Sequence, residues 1–244
     1  MDIEPVTGPL DCDQPQGICR LVSASYAYDD VVALAPACHR DVPGVDGVVL
    51  TIVAVHAGRI ILSDSGPNGD QLEDLHAALG QGPCIDAPST GTPVAAVDLD
   101  HPRARERWPR FAPQALACGI RAVFAFPALL DAQPVGVLSV YRATAGPLSV
   151  VDHDQVARYA HAAAILLLGT AHIDDTGTVS MPLPNKAAEV QQAVGVVMEY
   201  ARVDAVTALH RLRVYANHSA RPIRDVATEV LTGRLPFDPT RLET

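Results

Sequence analysis

Two pairs of strand-like segments, each joined by a short turn, constrain the fold of this chain more than any other feature. The first pair covers residues 48–55 and 59–63, is rich in β-branched residues and turns at Gly58. The second pair covers residues 121–126 and 135–142, with a polar turn between them. Because short turns join antiparallel neighbours, this pattern predicts an antiparallel sheet.

Helical patterns precede, separate and follow these strands. A weak helix is predicted at residues 29–39, a second at 71–79, and a long one at 152–168 with Asp152 as its N-cap. Strands mixed with helices at both ends of such a segment are typical of an α+β domain. We therefore predict an α+β domain, in which helices flank the antiparallel sheet.

From residue 185 onward, the apolar residues follow a helical period. The first helix is predicted to begin at Asn185, a second follows Asp204 as its N-cap, and a third begins near Pro222 and ends before Gly233. Helices this short are unstable alone, so each must bury its apolar stripe against the others. The segment therefore predicts an all-α three-helix bundle.

Composition divides the chain into five parts. We predict a flexible N-terminal arm at 1–17, a first domain at 18–170, a Gly/Pro-interrupted linker at 171–184, the helical bundle at 185–235 and a tail at 236–244.

The net charge of −10 is shared unevenly along the chain. Residues 181–244 hold eight of the 18 Lys/Arg and seven of the 28 Asp/Glu, a net charge of +1, which leaves −11 for residues 1–180. Only the C-terminal part can approach a polyanion without strong repulsion. Charge alone therefore permits nucleic-acid binding by that part but does not establish it.

The bundle segment contains a specific order of residues. Read from the N-terminal side, they are Gln192-Ala193, Gly195, Met198, Ala208, Leu212-Arg213, Ala216 and Asp225-Val226-Ala227. With this order the segment resembles the ANTAR domain, a three-helix RNA-binding unit of bacterial antiterminators. One departure concerns Val194, which stands where many members of that family have Lys.

The resemblance implies that the bundle binds RNA hairpin loops in nascent transcripts. A guanidinium group contacts phosphate or stacks on an unpaired base, and RNA loops present both. The residues expected at the RNA-binding surface are Gln192, Ala193, Gly195, Arg211, Arg213, Ala216, Arg221 and Arg224. For the small residues in this set, packing inside the bundle is the competing interpretation. Gly195 stands apart, because glycine in mid-helix costs about 1 kcal/mol relative to alanine.

The first domain carries a second ordered set of motifs. They lie at residues 80–87, 90–94, 98–99, 107–111, 119–123 and 134–141. With these motifs the segment resembles the GAF sensory domains that precede ANTAR domains in actinobacterial regulators. The resemblance implies a sensor that binds a small-molecule effector or serves in dimerisation. Cys84 and Cys118 are candidate redox-sensing thiols, although a thiol among apolar residues is more often a small buried hydrophobe.

Other functional classes lack their motifs in this sequence. It contains no nucleophile elbow, zinc-protease motif, P-loop or dinucleotide-binding fingerprint, so we predict that the chain is not an enzyme. Five cysteines without paired spacing and scattered histidines indicate no disulfide framework and no metal site, and no cofactor is predicted. Because neither a secretory signal nor a membrane-spanning run is present, the expected location is the cytoplasm, with no membrane partner.

These observations favour an RNA-binding regulator of transcription antitermination, in which the sensor controls the bundle. Binding to paired hairpins requires two modules, so a homodimer is expected, with the helix at 152–168 contributing to the contact. The residues expected at that dimer face are Val156, Tyr159, Ala160, Ala163 and Leu167.

Three alternatives stay open at this point. One is a small-molecule or redox sensor whose C-terminal helices mediate dimerisation or protein docking. Another is a DNA-binding helix-turn-helix protein, although Asp225 and Glu229 are unfavourable in a recognition helix. A third is an enzyme that uses the pocket of the first domain, for which no nucleophile or acid/base pair is identified.

Overall fold

The structure, a computed structural model, describes residues 28–54, 58–170, 172–173, 179–180, 185–219, 221 and 223–234. The predicted arm at 1–17 and tail at 236–244 lie outside the described residues. Within the predicted linker, the described residues are β6 (His172–Ile173) and β7 (Val179–Ser180), which pair antiparallel.

Five antiparallel strands form the sheet of the N-terminal domain. They are β1 (Gly47–Ala54), β2 (Gly58–Ser65), β3 (Val94–Ala96), β4 (Ala122–Leu130) and β5 (Gln133–Arg142). The strand order β2-β1-β5-β4-β3 leaves β2 and β3 at the edges. β1 pairs with β2 and β4 pairs with β5, so both predicted hairpins are confirmed.

Helices cover both faces of this sheet and create two apolar cores. The helices are α1 (Tyr28–Asp41), α2 (Gly69–Leu79), α3 (Pro83–Thr90), α4 (Pro102–Arg107), α5 (Phe111–Ala117) and α6 (Val150–Thr170). α1 and α6 bury one face of the sheet, while the other four enclose the second core around Trp108 and Phe111. The predicted α+β domain with a flanked antiparallel sheet is confirmed. The short helices α3 to α5 lie in a Pro/Gly-rich stretch for which the sequence pattern predicts no helix.

The beginning of α6 differs from the prediction. The helix starts at Val150, and the hydroxyl oxygen of Ser149 accepts the backbone N–H of Asp152 at 3.0 Å. Ser149 is therefore the N-cap, and the assignment of that role to Asp152 is wrong. The Asp152 carboxylate instead accepts a hydrogen bond from the Ser149 hydroxyl at 2.7 Å, which stabilises the same turn.

The predicted dimer face on α6 is buried inside the chain. Its five side chains are at most 2% exposed and belong to the core between α1, α6 and the sheet. Tyr159 also donates its hydroxyl hydrogen to Asp41 at 2.6 Å, which ties α6 to the end of α1. The prediction that these residues contact a second copy is therefore wrong. Their helical spacing was correct, but the surface that they bury is the sheet of their own domain.

Three helices form the C-terminal bundle: α7 (Asn185–Ala201), α8 (Ala205–His218) and α9 (Ile223–Leu231). Asp204 caps α8, since its carboxylate accepts the backbone N–H of Thr207 at 2.7 Å, as predicted. Gly233 follows α9 with a φ of +67°, the left-handed conformation expected after a helix. The predicted first-turn residue Pro222 lies outside the described residues. The all-α bundle is confirmed.

Candidate nucleic-acid interface

Ten buried apolar side chains hold the three helices of the bundle together. Ala193 and Ala216, both predicted at the RNA-binding surface, are fully buried in this core. Small side chains at these points let the helices approach closely. The geometry thus supports the packing role for both residues, and neither side chain reaches the surface of the folded bundle.

The exposed side of α7 carries Gln192 and Gly195. A Cβ added at Gly195 would meet no atom of the described residues within 4 Å, so packing does not require glycine there. The adjacent Val194 is only 3% exposed and belongs to the bundle core. The outer surface of α7 therefore has no side chain at Gly195. It also lacks the cation that a Lys in place of Val194 would supply.

Arg213 in α8 reaches from the bundle to the N-terminal domain. Its Nη2 donates a hydrogen bond to the backbone carbonyl oxygen of Arg59 in β2 at 3.2 Å. Its Nε is buried and has no hydrogen-bond partner among the described residues. Burial lowers the pKa of Arg213, while the nearby Asp74 carboxylate opposes that change. The arginine is thus held at a contact between the two domains.

Helix α2 supplies two carboxylates to the start of α9. Arg224, in the first turn of α9, forms an ion pair with Asp70. Asp74, one turn further along α2, lines the same cavity as Ile223, the first residue of α9, whose backbone N–H acts to lower the pKa of this carboxyl. Burial raises the pKa of Asp74 to about 7, although Arg213 acts in the opposite direction. The ion pair with Arg224 places the negative charge of Asp70 at the N-terminal end of α9, where a helix favours it.

The other two predicted arginines make different contacts. Arg221 donates from both terminal nitrogens to the two carboxylate oxygens of Glu229, at 3.0 and 2.8 Å, within the bundle. Arg211 is partly exposed on α8. Residues two positions apart lie roughly 200° apart around a helix, so Arg211 and Arg213 face different directions. The structure therefore separates the four predicted arginines and does not gather them in one patch.

A cavity of about 560 Å³ lies between the bundle and the N-terminal domain. Residues of α1, β2 and α2 line one side, and apolar side chains of all three bundle helices line the other: Val190, Leu209 and Ile223. Arg213 and Arg224 both line this cavity, so they share one face of the bundle.

The sequence offers only a weak signal for the partners of these arginines. Arg59, Asp70 and Asp74 lie in or beside predicted elements, but the sequence pattern predicts no role for them. The acidic composition of residues 1–180 indicates where counter-charges are available. It does not indicate which carboxylate meets which arginine, because both interdomain hydrogen bonds of Arg213 and Arg224 join residues 154 positions apart.

Behind this contact, the side chain of Arg59 links three elements of the N-terminal domain. Its Nε is paired with Glu73 of α2, and its Nη1 donates to the carbonyl oxygen of Cys84 in α3 at 3.3 Å. Glu73 also accepts a hydrogen bond from Thr51 at 2.9 Å. Burial opposes ionisation, but Arg59 and the hydrogen bonds lower the pKa of Glu73 overall. Arg59, whose backbone carbonyl oxygen accepts the hydrogen bond from Arg213, is thus held in place by its buried ion pair with Glu73.

The two candidate sensor thiols lie in unreactive surroundings. Cys84 is fully buried, with its sulfur 2.9 Å from the Ser139 hydroxyl oxygen, and burial raises its pKa to about 12. Cys118 is partly buried, and burial raises its pKa as well. Because the thiolate is the reactive form, both environments disfavour oxidation at neutral pH. A redox role for these residues stays a prediction that their geometry does not support.

Two further features are absent from the part of the chain that the structure describes. No group of three or more His, Cys, Asp or Glu there is arranged to hold a metal ion. None of the described helices combines the length and the apolar character needed to cross a membrane.

Comparison with family models identifies both parts of the chain. A model of the GAF domain matches residues 16–167, and a model of the ANTAR domain matches residues 185–231. A comparison with curated protein sequences finds no match.

Solved structures are similar to the N-terminal part at low sequence identity. The GAF domain of an Acinetobacter phosphoenolpyruvate-protein phosphotransferase is 14% identical, with a TM-score of 0.50 over 65% of this chain and 93% of that chain. The GAF domain of the Coxiella burnetii phosphotransferase is 14% identical, with a TM-score of 0.48 over 63% and 89%. A free methionine-R-sulfoxide reductase from Neisseria meningitidis, in complex with its substrate, is 17% identical, with a TM-score of 0.48 over 64% and 86%. At such identities the likeness concerns the fold alone.

Proposed function

Since the chain belongs to the GAF domain family and carries an ANTAR domain after the GAF domain, we propose that it regulates transcription antitermination by binding RNA hairpin loops in nascent transcripts. The ANTAR bundle is the RNA-binding unit. The GAF domain is a sensor for a small-molecule effector, and the chain is not an enzyme. It acts in the cytoplasm, where bacterial transcripts are made.

One observation supports RNA contact most directly: Arg213 and Arg224 come from different helices yet share one face of the ANTAR bundle. Two guanidinium groups on one face can engage successive phosphates of a loop, and each adds geometric specificity through its fork of donors. The exposed Gln192 and the open space over Gly195 provide a second place where an RNA backbone or base can approach α7 closely.

Binding to two hairpins in tandem calls for two ANTAR domains, so the proposal includes a homodimer. Its contact surface differs from the predicted face on α6, which is buried inside the GAF domain. Large apolar side chains that remain exposed on α6 are Val150, Val151 and Leu168.

A second candidate is a small-molecule sensor whose C-terminal helices dock onto a protein. The burial of Val194, where many ANTAR domains have Lys, favours it, because the first helix then offers RNA no cation at that position. Salt-dependent RNA binding decides between the two functions, since release of counterions from phosphates gives affinity a steep salt dependence.

The test measures binding of the full-length chain to a paired-hairpin RNA and to duplex DNA across a salt series. Arg211→Ala is compared with Arg105→Ala, which removes an exposed arginine from the GAF domain. We expect RNA-selective binding, and for Arg211→Ala a salt slope smaller by about 1, as for loss of one phosphate contact. The Arg105 variant should match the wild type. Equal binding of RNA and DNA, with the slope unchanged in both variants, would contradict the proposal.

A further inference from the structure

Two polar contacts attach the GAF domain to one surface of the ANTAR bundle, formed by Arg213, Arg224 and the first turn of α9 and called here the arginine face. Arg213 donates to the carbonyl oxygen of Arg59, and Arg224 pairs with Asp70. Asp74 lies beside Asp70 on the same helix and lines the same cavity as Ile223, the first residue of α9. Every acceptor comes from β2 or α2 of the GAF domain, and each donor comes from the bundle.

The chemistry of these contacts is that of phosphate recognition. A guanidinium group matches the oxygens of a carboxylate and of a phosphate with the same fork of donors. The N-terminal end of a helix likewise attracts either anion through its free N–H groups and its dipole. Asp70 and Asp74 therefore occupy positions on the arginine face that phosphate oxygens of a nucleic acid would suit.

We infer that the arginine face is the surface that contacts RNA phosphates, and that the acidic helix α2 covers it as a carboxylate mimic, so that docking on the GAF domain and RNA binding exclude each other. The inference rests on the proposed RNA-binding function. It assigns the sensor a direct role in control, because any effector that weakens the α2 contact uncovers both arginines at once.

Some hydrogen-bond donors at the contact between the two domains lack acceptors, and this favours release of the contact. Arg213 Nε and Arg59 Nη2 are buried without hydrogen-bond partners among the described residues, and such unsatisfied donors destabilise the state that buries them. A cavity of about 560 Å³ also remains at the same place. A phosphate on Arg213 can supply the acceptor that its Nε lacks in the docked arrangement.

Charge distribution favours the same competition. Residues 1–180 carry a net charge of −11, against +1 for residues 181–244. In the docked arrangement this negative field surrounds the arginine face and repels RNA. Separation of the domains removes the carboxylates from the arginines and reduces that repulsion.

The experiment uses the full-length chain and the paired-hairpin RNA. Asp70→Lys places a cation against Arg224 and should separate the domains, whereas Asp100→Lys makes the same charge change at an exposed ion pair with Arg105. Two readouts are taken: RNA affinity, and hydrogen exchange of the β2 and α2 amides. We expect Asp70→Lys to raise affinity about tenfold, within the usual range of coupling between sites, and to speed exchange in β2 and α2. Asp100→Lys sets the part of the affinity gain that follows from net charge alone.

The wild-type chain provides a reciprocal test that needs no mutation. If RNA and α2 compete, saturating RNA must speed exchange in β2 and α2 of the wild type, because coupling is reciprocal. Bound RNA with unchanged exchange, or equal affinity gains for both lysine variants, would overturn the inference and leave the proposed function standing. Faster exchange in Asp70→Lys without RNA binding by any variant would instead remove the proposed function. If Asp70→Lys does not change hydrogen exchange in β2 and α2, the double variant Asp70→Lys/Asp74→Lys is measured and judged by the same criteria.

Discussion

Replacing Glu73 with glutamine is expected to destabilise the GAF domain by about 3 kcal/mol at pH 7. Breaking a buried ion pair by removing one partner typically costs about 3–5 kcal/mol, because the remaining charge is left buried without compensation. The side chains of Arg59 and Glu73 are only 9% and 6% exposed, so water cannot replace the lost carboxylate. Glutamine retains the volume and one acceptor for Thr51 or Arg59, which places the effect at the lower end of that range.

The single tryptophan makes this loss measurable in the GAF domain alone. Trp108 is 3% exposed in the core beside α3, and the ANTAR bundle contains no tryptophan, so the fluorescence of this residue reports the GAF domain. Urea titrations at pH 7 should show the loss as a lower midpoint with a similar slope. For a domain of this size, about 3 kcal/mol corresponds to a fall in Tm of about 9 °C.

The pH dependence of the stability of the GAF domain provides a second test of this prediction. The pKa of Glu73 is lowered in the folded state by Arg59 and the hydrogen bonds, against the effect of burial. A lowered folded pKa means that the stabilisation is present above the unfolded pKa and is lost as pH falls through the folded value. The wild type should therefore exceed Glu73→Gln in free energy of unfolding by about 3 kcal/mol at pH 6–8. This difference should become smaller below about pH 4.

Asp100→Asn is the matched control, because it removes one carboxylate from an ion pair in which both side chains are nearly half-exposed. Exposed pairs contribute under about 1 kcal/mol. A loss below about 1 kcal/mol in Glu73→Gln, equal to that of the control, would refute the reasoning that this pair is isolated from water.

Three further changes test the bundle and its contact with the GAF domain. Leu212→Ala should cost about 3 kcal/mol and unfold the small bundle without shifting the Trp108 transition, which circular dichroism and fluorescence compare. Gly195→Ala should stabilise the bundle by about 1 kcal/mol in thermal melts monitored by circular dichroism, because its Cβ meets no described atom; destabilisation would show that glycine has a packing role. Because burial raises the pKa of Asp74 to about 7 against Arg213, beside two other α2 carboxylates, docking should weaken as pH rises through 7. Because undocked domains move apart, small-angle scattering should give a larger radius of gyration at pH 8 than at pH 5.5. Asp74→Asn should abolish this difference.

The difference between the two kinds of arginine has a consequence for function. Arg213 and Arg224 are engaged by the GAF domain, whereas Arg211 stays partly exposed. Under the proposed RNA-binding function, a docked chain retains weak, non-specific attraction for RNA through exposed cations while its arginine face is covered. Under the inferred competition, specific binding needs both arginines free, so the sensor changes selectivity as well as affinity.

Local patterns in the sequence were sufficient for the elements and for the fold class. β-branched runs around a short turn identified the first hairpin, strand-like segments around a polar turn identified the second, and helical spacing identified α2, α6 and the three bundle helices. The caps at Asp204 and Gly233 followed from the same rules. These features depend on residues within about one turn of each other, and their preferences can be read without a partner element.

The sequence alone determined where apolar stripes and arginines lie on their own helices, because helical geometry is local. Only the tertiary structure decided what each stripe and each arginine meets. The stripe of α6 is equally suited to a second copy or to a sheet, and in the folded chain it packs on β4 and β5 of its own domain. Arg213 and Arg224 meet β2 and α2 across 154 residues of chain. Such pairings arise when separate apolar surfaces pack together, so no short-range preference in the sequence specifies them.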